Sequence, residues 1–141
     1  MKKALVFLVI FVTIFSVASL TLHADGQIVP FYNNVNLEST TFDIADDGTA
    51  EVTLYYSGRA GLTKGATITT KIQKYVSGNW VDVNIGTTNN EWVDNSSSFI
   101  FNKSHSTQLT VRGKYRACVT YEIWGNGGDN DIIVREIEKT Y

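Results

Sequence analysis

His105 and His23 are the only histidines in the 141 residues, and His105 is the one embedded in a polar, strand-like stretch. A histidine general base needs a hydroxyl or thiol to activate and a carboxylate to orient its ring. Ser104, Ser106 and Asp94 lie near it in sequence, but no Gly-x-Ser-x-Gly turn occurs. On a strand both flanking serines point away from the face that carries His105. The expectation is therefore a strand-edge histidine beside a polar loop, without a nucleophile, whose loss costs little. No catalytic residue is assigned.

Asp129-Asn130-Asp131, following Gly127-Gly128, offers oxygen ligands of the kind a hard cation prefers. The twelve-residue calcium loop with its closing Glu is missing. Asp and Asn after glycines also suit a plain hairpin turn. Asp129 and Asp131 stand as the metal-ligand candidates, but no metal and no cofactor is assigned. Asp43, Asp46 and Asp47 make a similar acidic hairpin. Tyr55 and Trp124 fall on the polar faces of their strands, which makes them the candidate binding aromatics. Asn95-x-Ser97 and Asn102-x-Ser104 match a glycosylation pattern that a bacterial-type leader makes irrelevant.

These groups are carried by strands. The chain is rich in Thr, Asn and Ser and poor in Leu and Ala beyond its first residues, a balance that favours β structure and turns. Thr49–Ser57 places Ala50, Val52, Leu54 and Tyr56 on one face. Lys114–Trp124 places Tyr115, Ala117, Val119, Tyr121 and Ile123 on one face, with Arg116 and Cys118 on the other. Such period-2 runs are half-buried strands. Asp46-Asp47-Gly48 closes a hairpin between Thr40–Ala45 and Thr49–Ser57. Val76-Ser77-Gly78-Asn79 closes a second, between Ile68–Tyr75 and Trp80–Ile85, and the Gly125–Asn130 segment a third. Ser98–Asn102 and His105–Val111 read as two further strands. Val35–Ser39 reads as a first strand, with a parity break at Ser39–Thr41. The sum is an all-β, antiparallel two-sheet β-sandwich of seven to eight strands, immunoglobulin-like, preceded by a signal-peptide helix.

The start of the chain is a different material. Lys2 and Lys3 precede an almost wholly apolar run from Ala4 to Ala18, then small and polar residues up to Ala24. That is the layout of a secretory signal peptide. The cut is expected after Ala24, with Ala18 or Ser19 as the rival. Residues 1–24 are then the signal peptide and 25–141 a single secreted domain, extracellular after cleavage. The formal charge of the whole chain is −2, and losing two lysines makes the remainder more acidic. No basic patch is left to neutralise phosphates, so nucleic acid is not an expected partner. The expected mature chain holds no second apolar run able to span a bilayer. With one cysteine, Cys118, no internal disulfide is possible, and the domain must rest on its core.

Gly113-Lys114-Tyr115-Arg116-Ala117 resembles the tyrosine corner of immunoglobulin-like sandwiches, with Ala117 where those domains carry a cysteine. Trp80 is the expected core tryptophan. A wider likeness rests on several segments: Ile28-Val29-Pro30-Phe31-Tyr32-Asn33, Lys71-Ile72-Gln73-Lys74 with Trp80-Val81-Asp82-Val83, Ser104-His105, the Gly113–Ala117 motif and the closing Thr140-Tyr141. Together they resemble a family of small secreted β-rich proteins from Gram-positive bacteria, a domain of unknown function. The resemblance implies the fold and export but no catalytic residues. The expected role is non-enzymatic binding of a surface glycan or protein. A small secreted hydrolase built on His105 is the alternative, and a membrane-acting effector or toxin a further one.

Overall fold

A computed structural model describes residues 32–141. The expected signal peptide and its cleavage point lie outside the described residues.

Eight strands alternate with short turns: β1 (Val35–Ile44), β2 (Thr49–Gly58), β3 (Thr63–Val76), β4 (Asn79–Asp82), β5 (Trp92–Ser96), β6 (Ile100–Gln108), β7 (Lys114–Gly125) and β8 (Asp131–Thr140). A single 3-10 turn, Thr88–Asn90, interrupts them. One sheet has the order β1-β2-β6. The other runs β4-β3-β7-β8, with β5 also paired to β3. All pairings are antiparallel. This is the expected two-sheet sandwich.

Alternation in the sequence builds the core. Phe42, Val52, Leu54 and Tyr56 from the smaller sheet meet Ile68, Ile72, Tyr121, Ile123 and Ile133 from the larger, all almost fully buried. Burial of each such side chain stabilises the fold by about 1.5–3 kcal/mol. The inward faces of β2 and β7 are those the alternation predicts. Tyr115 also does what a tyrosine corner does: its hydroxyl donates to the carbonyl of Val111, four residues upstream.

Four expectations are corrected. Residues 100–108 form one strand rather than two, and it runs unbroken through Lys103 and Ser104. Its inward side chains include Lys103 and His105, paired to the core residues Leu54 and Val52, so apolar alternation is lost on an edge strand that faces inward with polar groups. β5 was hidden for the same reason, because its inward central residue is Asp94, opposite Ile68. β1 runs unbroken through Ser39–Thr41, and its irregularity lies between Val35 and Leu37. Trp80 is no core residue; it sits half-buried on β4, with Tyr75 tilted against it and the Arg116 guanidinium 4.5 Å from its ring centroid.

The sheets are joined by ions at both open sides. On the β1–β8 side the Glu38 side chain, 3% exposed, meets Arg135 Nε at 2.8 Å. Thr40 Oγ1 donates to Glu38 at 2.5 Å and lies 2.8 Å from the Tyr121 hydroxyl. Burial pushes that phenol up to about 12.

Candidate functional site

The opposite open side, between β5 and β6, gathers the groups most capable of proton chemistry. Asp94 comes from the larger sheet, His105 and Lys103 from the smaller, and all three face inward by register. Asp94 is 5% exposed and His105 12%. His105 Nε2 stands 2.6 Å from Asp94 Oδ2, and Lys103 Nζ donates to Asp94 Oδ1 at 2.5 Å. The Trp92 indole stacks on the imidazole with centroids 4.8 Å apart and planes 4° from parallel. Burial pushes the Asp94 carboxyl up, but the bonds and charges of His105 and Lys103 outweigh it and hold the group below its ordinary value.

This arrangement corrects the picture of a strand-edge histidine beside a polar loop. Folding brings His105 the carboxylate partner that an acid–base pair needs, and Asp94 was the nearest such residue in sequence. It does not bring the adjacent hydroxyls. Ser104 pairs with Thr53 on the outer face and hydrogen-bonds its hydroxyl at 2.8 Å, and Ser106 pairs with Glu51 on that same face. The inward-facing Thr70, opposite Trp92 on β3, is fully buried and closed to any substrate. An oriented imidazole with its nearest sequence hydroxyls on the far face makes an inter-sheet clasp.

Of the calcium candidates, the Asp131 carboxylate is spent on the main chain, while Asp129 is exposed and contributes its backbone carbonyl. Asp131 accepts the amide of Asn33 on Oδ1 at 2.7 Å, and those of Asn34 and Val35 on Oδ2 at 2.7 and 3.0 Å. The carbonyl of Asp129 accepts both the Asn33 and Asn34 side-chain amides, at 3.2 and 2.9 Å. Gly127 is needed here, since a Cβ on it would lie 2.3 Å from the Asn33 carbonyl oxygen. The hairpin thus ties down the start of β1. Among the described residues no three of His, Cys, Asp and Glu gather as a metal site requires.

The two candidate binding aromatics lie on opposite surfaces. Tyr55 is half-buried on the outer face of the smaller sheet, between Ser39 and Asn102. Trp124 is half-buried on the outer face of the larger sheet, opposite Gly65. A Cβ at Gly65 would lie 2.7 Å from the indole, so glycine lets the ring lie against the strand. They cannot form one platform.

A concavity that the sequence did not announce lies at the end of the sandwich where the β3–β4 hairpin overhangs the smaller sheet. Its volume is about 450 Å³. Val76, Val81 and Val83 line it from the hairpin, and Leu109 and Val111 from the β6–β7 connection. Val76, Val81 and Val111 are 45%, 51% and 56% exposed. Lys74 and Tyr115, partners across β3 and β7, also line it, and Asp82, Asn84, Gln108 and Thr110 add polar groups. The wall is firm: Leu109 donates its amide to the Gly48 carbonyl at 2.9 Å, and the tyrosine corner holds Val111. Four valines from segments far apart in sequence leave no periodic signal, so only the fold reveals them. No protein-family model matches this chain, and no curated protein or solved structure shows significant similarity to it.

Proposed function

We propose that this chain is a secreted, non-enzymatic β-sandwich that binds a surface protein at or outside the bacterial cell, through the valine-lined groove. The groove carries the reading. Its volume lies in the range of ligand sites, and three of its lining valines, Val76, Val81 and Val111, are left about half exposed. An apolar segment of protein suits it better than a sugar, because sugar faces stack on exposed aromatic rings and the only ring here, Tyr115, is buried. The basic-apolar-small leader supports export. The fixed His105–Asp94 pair, with its neighbouring serines on the other face, supports a role without turnover.

The test is binding of the labelled full chain to bacterial surface preparations, compared with a Val81→Asp, Val111→Asp double variant. Both side chains are more than half exposed, so the variant keeps its melting temperature. Binding should fall by at least about tenfold, as expected when charges are placed in an apolar contact. Equal binding overturns the groove. Ester, peptide or glycoside turnover that disappears in His105→Ala with the fold intact replaces the reading with an enzyme.

A further inference from the structure

Lys74 is the one charge of the groove that the described fold does not use. Lys71, Lys103, Lys114 and Lys139 each stand 2.5–3.5 Å from a carboxylate oxygen. Among the described residues Lys74 has no such partner. Its Nζ lies 5.6 Å from the Tyr115 ring centroid, and that ring is itself fixed by the bond to Val111. Asp82 also borders the groove, but Gln73 donates to it at 2.7 Å and Lys71 at 3.5 Å. The unmatched charge of the groove is therefore positive, set among apolar walls where a counter-charge is attracted more strongly than in open water.

The rim adds polar groups. Asn84 accepts the Gly86 amide on Oδ1 at 2.9 Å, which leaves its NH₂ for another acceptor. Thr110, also exposed, lines the groove from the β6–β7 connection. A peptide main chain has carbonyls and amides that use such groups, whereas an alkyl chain has none.

We infer that the groove takes the C-terminal segment of an apolar peptide, with its free carboxylate on Lys74 and its last apolar side chain between Val81 and Val111. The inference rests on the groove being the binding site. The geometry offers a cation at one fixed point and an apolar slot beside it. Those are the two requirements for selecting a chain end over an internal segment.

The experiment is an NMR titration of the full, isotope-labelled chain with three probes: acetyl-Ser-Thr-Val-Ile-Val as the free acid, the same peptide as its C-terminal amide, and decanoate. The free acid should shift the amides of residues 74–84 and 108–115. Amidation should weaken it by about tenfold, the worth of one charge-assisted contact. Lys74→Met should bind acid and amide equally, and Lys74→Arg should keep most of the preference. Equal affinity for acid and amide in the unaltered chain overturns the carboxylate assignment. Decanoate shifting the groove where the peptide does not overturns the peptide. If none of the three shifts it while the double aspartate variant still loses surface binding, the ligand class is wrong and the groove stands. If that variant keeps surface binding, the groove itself falls.

Discussion

Asp94 serves two partners at once, one oxygen to the Lys103 ammonium and one to the His105 imidazole, and this decides what its removal does. Replacing His105 by Ala takes a donor from a buried carboxylate and leaves a void against Trp92. The cost should be about 1–3 kcal/mol, seen as a lower midpoint in urea, against the small cost expected from sequence. An unchanged midpoint would show that the pair does not hold the sheets. The pH dependence follows from the same carboxyl. Its value is lowered on folding, so the stability it adds is complete above the unfolded value near ~3.9 and is lost as pH falls through the folded value. Asp94→Asn removes that dependence. Thermal melts of the two proteins should differ by the same amount from neutral pH down to about pH 4 and converge only at lower pH, as the folded Asp94 takes up its proton.

Strand β7 shows how a face is assigned and how far that assignment reaches. Ala117 is fully buried, so Ala117→Asp places an unpaired charge in the core and should cost more than about 3 kcal/mol, enough to lower the yield of folded protein sharply. Arg116 points the other way, as alternation predicts. It is not a loose surface group, however. Its guanidinium lies over Trp80, donates to Gln73 at 2.8 Å and meets Glu136 at 2.9 Å. Arg116→Ala should therefore cost about 1 kcal/mol in a urea melt, less than Ala117→Asp but measurable, where alternation alone predicts silence. The sequence conveyed facing wherever the inward residues are apolar, as on β2 and β7. It failed on β5 and β6, where inward Asp94, Lys103 and His105 look like surface residues. What makes those residues legible is their partner across the gap, and partnership between sheets has no period along the chain. The groove was illegible for a related reason, since its valines come from a hairpin and a connection some thirty positions apart.

The whole molecule is a sandwich without a disulfide, closed on each side by a buried carboxylate that reaches a cation on the opposite sheet. Glu38–Arg135 closes one side and Asp94 with His105 and Lys103 the other. They share no residues and the core lies between them. Glu38→Gln and Asp94→Asn should therefore destabilise additively, within about 0.5 kcal/mol in denaturant melts of the single and double variants. A larger coupling would mean that the two sheets slide as rigid plates. Asp131 carries a different consequence. It holds the amides of residues 33, 34 and 35 across sequence separations of 98, 97 and 96. The first strand is thus fastened by the last hairpin. Any process that delivers the chain from its N-terminus, such as synthesis or threading through a pore, leaves β1 without its fastening until Asp131 has emerged. The domain is in effect a bag whose drawstring is knotted at the far end, slack in transit and shut only on arrival.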